Sequence, residues 1–176
     1  MASYCAVAAL FSMLAISIIS EANALDDKEL QTTLYIKQSF TQDQRPLGIN
    51  TAIINWLIKD GPGAAANTIG HAEGLATYAN PAKPFWVTII DMVFEDGSFA
   101  GSSLKVMGLH GSKKDDLGQG QWSVMGGTGE LTMARGIINY NITQEDSAGR
   151  TFEICIYVYY TSIETIKALG DTGRKP

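Results

Sequence analysis

Two cysteines, two histidines and 18% charged residues leave a chain of 176 residues with few of the groups on which catalysis and cross-linking rest. Cys5 and Cys155 are too few for the paired framework that holds small exported domains together. His71 and His110 lack ligand-like spacing, and Asp115-Asp116 follows Lys113-Lys114 in what reads as a solvated turn, so no metal is expected. A serine hydrolase would need a G-x-S-x-G elbow, which does not occur. GGTG at 126–129 lacks the Lys-Ser/Thr that ends a phosphate loop. The net charge is -5 with no basic stripe, which argues against binding the backbone of a nucleic acid. No helical period is sustained through the central part of the sequence.

What is present begins with an apolar run, AVAALFSMLAISII, followed by the small-x-small triplet Ala22-Asn23-Ala24. That is the pattern of a secretory signal peptide over residues 1–24, although no Lys or Arg precedes the run. The run is shorter than the ~20 residues a bilayer-spanning helix needs. Cleavage there removes Cys5 and Glu21 and leaves one domain, residues 25–176, with Cys155 as its single thiol. Cys155 lies in an apolar strand-like run, so it is expected to be buried and inert, with no disulfide.

The mature sequence reads as short β-rich runs bounded by Gly, Asp, Asn and Pro. They are 33–40, 50–58, 68–79, 85–95, 98–110, 121–126, 131–143 and 152–162. Asp96-Gly97 is a hairpin signal, and Asp60-Gly-Pro-Gly63 and Ser147-Ala-Gly149 mark further turns. About eight strands in ~150 residues point to an antiparallel barrel or a sandwich, and closure removes the edges that invite aggregation. Two strands carry apolar residues on both faces. From Phe85, one face holds Trp86, Thr88, Ile90, Met92 and Phe94 and the other Val87, Ile89 and Val93. From Phe152, Ile154, Ile156 and Val158 alternate with Cys155, Tyr157 and Tyr159. A second apolar face needs a second covering, which a homodimer or homotrimer would provide. The C-terminal SIETIKALG is the one segment with a helical look.

In GQWSVMGGTGELTMARG, residues 120–136, the glycines are expected to allow a tight reversal between strands. Glu130 and Arg135 flank the apolar LTMA, an arrangement that is often only a rim salt bridge. This segment resembles the signature of plant dirigent proteins, V-x-G-G-T-G-x-F-x-M-A-R-G. LYIKQSF, IGHAEGLATYA and DMVFEDGSFAGSSLKVMG resemble the same family in the right order, so that the resemblance covers roughly Thr33 to Thr161.

The resemblance implies an all-β, eight-stranded antiparallel up-and-down barrel with a central cavity, usually trimeric and secreted to the apoplast. Members generally have no cofactor or oxidising centre. An external laccase or peroxidase makes phenoxy radicals from monolignols, and the cavity orients them so that one regio- and stereoisomer forms, as in lignan biosynthesis. Others use acid chemistry on a quinone methide. On that pattern Glu130 falls where an acid is proposed as proton donor, and Arg135 falls on the family arginine. Trp86, Ile90 and Phe94 would line the pocket. Gln38 stands where radical-coupling members have an acid: it can hydrogen-bond a phenol but has no proton to give. The cysteine pair that tethers the termini in many members is missing as well. A barrel that binds phenolics in defence without directing coupling, and an isomerase or cyclase on the architecture shared with allene oxide cyclases, remain alternatives. Asn141-Ile142-Thr143 is the single glycosylation sequon and is expected to be occupied after secretion.

Overall fold

The computed structural model describes residues 27–40, 44–48, 50–79, 85–111 and 118–161. The signal segment, the paired lysines and aspartates at 113–116 and the C-terminal SIETIKALG lie outside them. Among the described residues, nine strands form one antiparallel sheet: β1 (Lys28–Ser39), β2 (Gln44–Gly48), β3 (Thr51–Lys59), β4 (Thr68–Tyr78), β5 (Phe85–Phe94), β6 (Ser103–Gly111), β7 (Gln119–Thr128), β8 (Arg135–Glu145) and β9 (Gly149–Tyr160). From β3 to β9 each strand pairs with the next in sequence. β1 then closes the barrel, pairing along its whole length with β9 and through Tyr35–Lys37 with Leu57–Lys59 of β3. β2 runs on beside the rest of β3, so the closed barrel has eight staves.

Period-2 alternation explains the closure. On β9 Phe152, Ile154, Ile156 and Val158 are buried, whereas Tyr157 and Tyr159 face out; on β5 Thr88, Ile90, Met92 and Phe94 are buried, whereas Ile89 is exposed. Leu34 and Ile36 of β1 and Ile54, Trp56 and Ile58 of β3 join them in one core that fills the barrel. Interior positions of a small barrel are filled in this way by alternate side chains of every strand.

Several boundaries differ from the sequence reading. β2 contains Pro46, which cannot donate to a ladder and therefore reads as loop. It is tolerated because, among the described residues, β2 pairs with β3 alone. The runs expected from 98 and 131 start later, at Ser103 and Arg135, because each is preceded by a 3-10 turn, Gly97–Phe99 and Gly129–Leu131. Asp96-Gly97 is accordingly no two-residue hairpin. Asp96 has an extended backbone (φ -138°) and its carboxylate caps Gly97 N–H at 2.7 Å; Gly97 alone is left-handed, at φ +78°. In GGTG the positive φ is confined to Gly129 (+61°), since Gly126 and Gly127 belong to β7. Cys155 faces outward on β9, half-buried, with Sγ 3.7 Å from Thr33 Oγ1, and is not the buried thiol the apolar run suggested.

Candidate functional site

Among the described residues, buried polar side chains gather at the two ends of the barrel: Ser102, Ser103 and Thr161 beside the turns at one, and a larger set at the other, where β1 finishes and β9 begins. Gln38, Thr88, His110 and Arg150, all buried, occupy positions in phase with the core residues of their strands. Gln38 pairs with Arg150 across β1 and β9. Trp56 stands one step beyond the Lys37–Leu57 pair, on the other side of Gln38. Among the described residues, Gln38 Oε1 and Trp56 Nε1 are fully buried and unpartnered, an acceptor and a donor. Leaving such groups unpaired costs about 1–3 kcal/mol each, a cost that a polar ligand would remove.

An aromatic cluster holds this set. The Phe152 ring stacks on Trp56 at 5.7 Å and meets Tyr140, Trp122 and His110 at 5.8, 5.8 and 6.1 Å. Tyr140 Oη donates to Leu109 O at 3.0 Å, and Thr88 Oγ1 lies 2.7 Å from His110 Nδ1. Burial, with the Arg150 charge adding to it, pushes His110 down to about 4, so the imidazole is neutral at physiological pH. Burial raises the Tyr140 phenol to about 12, which keeps it a protonated donor. Arg150 donates from Nη1 to Gly111 O at 3.2 Å and lies 3.5 Å through Nε from Glu145; its guanidinium sits 5.0 Å from the centroid of the Phe40 ring. Desolvation lowers its pKa, against the raising influence of Glu145. Gln38 and Arg150 also belong to the wall of a cleft of about 380 Å³ with Lys37, Leu57, Gln144 and Thr151. Small-molecule sites begin at roughly 300 Å³.

Glu130 and Arg135 lie at the opposite end. Arg135 pairs with Tyr159 and Gln38 with Arg150, nine residues apart on β9, or roughly 30 Å at ~3.3 Å per residue. The Arg135 side chain is 59% exposed and forms its ion pair with Asp27, not with Glu130. That hydrogen bond holds the Asp27 carboxyl below its ordinary value. Glu130 is half-buried, and its backbone N–H donates to Ser102 Oγ at 3.0 Å. The structure thus does not bring the sequence-expected residues together. Trp86, half-buried against Tyr78 and paired with His110, is at the Gln38 end; Ile90 sits midway; Phe94 lines an apolar notch of about 230 Å³ at the Glu130 end with Leu30, Leu34, Ile69 and Phe99.

Sequence reasoning missed Trp56, Thr88, His110 and Arg150 as a set. The available signal was phase: each sits at an inward position of an alternating strand. Among the described residues no three His, Cys, Asp or Glu side chains converge as metal ligands, and no helix is long and apolar enough to cross a membrane.

These features define a small closed antiparallel β-barrel whose interior is packed with side chains and whose inward positions turn polar at one end, beside an open cleft. A family model described as Dirigent-like protein matches residues 22–159, and the chain belongs to that family. Among curated proteins it is similar to pterocarpan synthase 1 of Glycine max, 28% identical over 95 residues, which is 54% of this chain and 50% of the relative. The chain thus spans about half the length of the curated relative it matches. Among solved structures, that of the pterocarpan synthase dirigent protein GePTS1 is similar with a TM-score of 0.70 at 20% identity, covering 78% of this chain and 91% of that one. That of the pterocarpan synthase dirigent protein PsPTS1 gives 0.67 at 21%, covering 77% and 97%. At these identities the likeness establishes the fold.

Proposed function

We propose that this barrel binds a reactive phenolic intermediate at its Gln38 end and imposes regio- and stereochemistry on the bond it forms. In the main reading the intermediates are phenoxy radicals of monolignols, made by an external laccase or peroxidase in the apoplast after removal of residues 1–24, and the products are lignans. Glycosylation of Asn141, which lies exposed on β8, and self-association belong to the same reading. The observation that carries it is the buried, unpartnered pair Gln38 Oε1 and Trp56 Nε1 beside Arg150. A phenol O–H can donate to the amide oxygen. The indole N–H and the guanidinium can donate to phenolic or ether oxygens, and Phe152 and Trp56 offer ring faces. Fixing two radicals in one relative orientation selects a product without a strong chemical catalyst.

A second reading, compatible with relatives named as pterocarpan synthases, is that a benzylic alcohol loses water to give a quinone methide, to whose exocyclic carbon an internal phenol oxygen then adds while its proton passes to the quinone methide oxygen, a sequence that needs no oxidant. The groups at the Gln38 end stabilise an oxygen that gains charge, but His110 is a weak proton source at neutral pH, with its pKa at about 4.

The experiment is coniferyl alcohol with and without a separately added one-electron oxidant, beside a phenolic alcohol that closes through a quinone methide, both resolved by chiral chromatography. An enantiomeric excess that needs the oxidant supports the coupling reading. Stereoselective closure without oxidant moves the assignment to the second. Racemic products throughout overturn both in favour of a binding role in defence. Gln38→Asp supplies the acid found in coupling members and is expected to sharpen selectivity in the first assay.

A further inference from the structure

The cleft at the Gln38 end is longer and more polar than a phenol ring requires. It starts at the inward Gln38 and Arg150, crosses the rim at Ser39 and Gly149, where β1 ends and β9 begins, and continues onto the outer face between Lys37 and Gln144. Lys37 and Leu57 are cross-strand partners one residue out of phase with the inward Gln38 and Trp56, and Gln144 is the partner of Thr151 beside Arg150. A ligand that fills the cleft therefore runs from the barrel interior over the rim to the outside.

The outer part of the cleft differs chemically from the aromatic cluster behind it. Among the described residues no aromatic ring lines it, and its apolar surface is Leu57, Ala148 and the stem of Lys37. Its charges balance, Lys37 and Arg150 against Glu145 and Asp146, so it favours neither an anion nor a cation. What it offers is a mixture of donors and acceptors. Lys37 Nζ donates to Pro62 O at 2.6 Å and to Thr151 Oγ1 at 2.8 Å and, among the described residues, keeps a third N–H. Gln144 is bonded there only through Oε1, to Thr151 Oγ1 at 3.5 Å, which leaves its amide N–H groups as donors. Asp146 Oδ1 accepts from the Ala148 and Gly149 N–H groups at 2.8 and 3.0 Å, leaving Oδ2 as an acceptor. Gln38 Oε1, buried and unpartnered, is the acceptor at the inner end. Hydroxyl groups, each of which both gives and takes a hydrogen bond, match such a wall. Several of them on one neutral ring make a sugar.

We propose that the ligand of this end is a phenolic glycoside, with its aromatic ring at Gln38 and Trp56 and its sugar in the outer cleft between Lys37, Gln144 and Asp146. The inference rests on the phenolic reading above and narrows its substrate class. A phenoxy radical forms only from a free phenol hydroxyl, so the sugar is carried on the side-chain oxygen, which points out of the barrel when the phenol points in.

Isothermal titration calorimetry of the mature protein tests it with four probes: coniferyl alcohol, its glucoside at the side-chain hydroxyl, its glucoside at the phenol oxygen, and methyl glucoside. The side-chain glucoside is expected to bind about tenfold more tightly than coniferyl alcohol, the gain from two or three hydrogen bonds. Gln144→Leu, at an exposed position, and Lys37→Met should each bring that ratio toward one, and the phenol-capped glucoside should show no gain. Equal affinities for coniferyl alcohol and its side-chain glucoside overturn the inference while leaving the phenolic site in place. Methyl glucoside binding as tightly as the side-chain glucoside also overturns it, since the cleft is then a saccharide site independent of the phenol. A gain that survives both substitutions overturns the placement of the sugar. Binding of none of the four removes the phenolic reading and the inference with it.

Discussion

The two ends of the barrel are built from the same alternating strands but hold together by different means. At the Gln38 end the inward positions are polar side chains, wedged among Phe152, Trp56 and Tyr140. At the Glu130 end backbone and hydroxyl groups of two 3-10 turns lock onto each other. Glu130 N–H donates to Ser102 Oγ, Ser103 Oγ meets Thr128 Oγ1 at 2.8 Å, and Thr132 O accepts from Thr161 N–H at 3.0 Å. The hollow beside these turns is mainly apolar, with Thr32, Asp96 and Ser98 as its polar lining. Burying polar groups that find no internal partner is expensive, and the expense is concentrated at the end assigned to the ligand. The GGTGELTMARG segment reads instead as the locked foundation of the opposite end.

The largest test of this contrast is Phe152→Ala. Its ring touches four aromatic groups of the Gln38 end, and its loss is expected to cost about 3–5 kcal/mol, read by chemical denaturation. Next in size is a pH effect. The folded pKa of His110 is about 4, below the ordinary 6.5. As pH falls through 6.5 the unfolded chain takes up a proton that the native state refuses, so stability declines by about 3 kcal/mol and levels off below about 4. His110→Phe should flatten that decline in denaturation curves measured from pH 7 to 4. Third, Arg150→Met should lower stereoselectivity on the order of 10²-fold, while Arg135→Met leaves product ratios unaltered; equal losses from the two would erase the distinction between the ends. Smallest is Gly129→Ala, which forces a side chain into a left-handed position 2.6 Å from Ser102 Oγ at about 1–2 kcal/mol. It should lower the melting temperature and spare selectivity.

The alternation of β5 and β9 was legible because period-2 patterning is local: each inward residue is buried by whichever strand stands opposite. The start of β8 was not, because Leu131 and Ala134 look like strand residues but are buried within and after a 3-10 turn. β2 was hidden by Pro46, which only an edge position permits. Gln38 was recognisable as a departure from the family pattern. Its companions were not, since Trp56, His110 and Arg150 are separated from it by 18 to 112 residues of sequence and meet only through barrel closure.

The sequence by itself determined the all-β class, the faces of the long strands and the family, since these rest on spacing within single segments and on one contiguous motif. The tertiary structure alone decided which polar residues share an end. It separated Gln38 from Glu130 and Arg135 by the length of β9 and gave Arg135 to Asp27, because contact in a closed barrel is set by register between strands, and register carries no mark in any one of them.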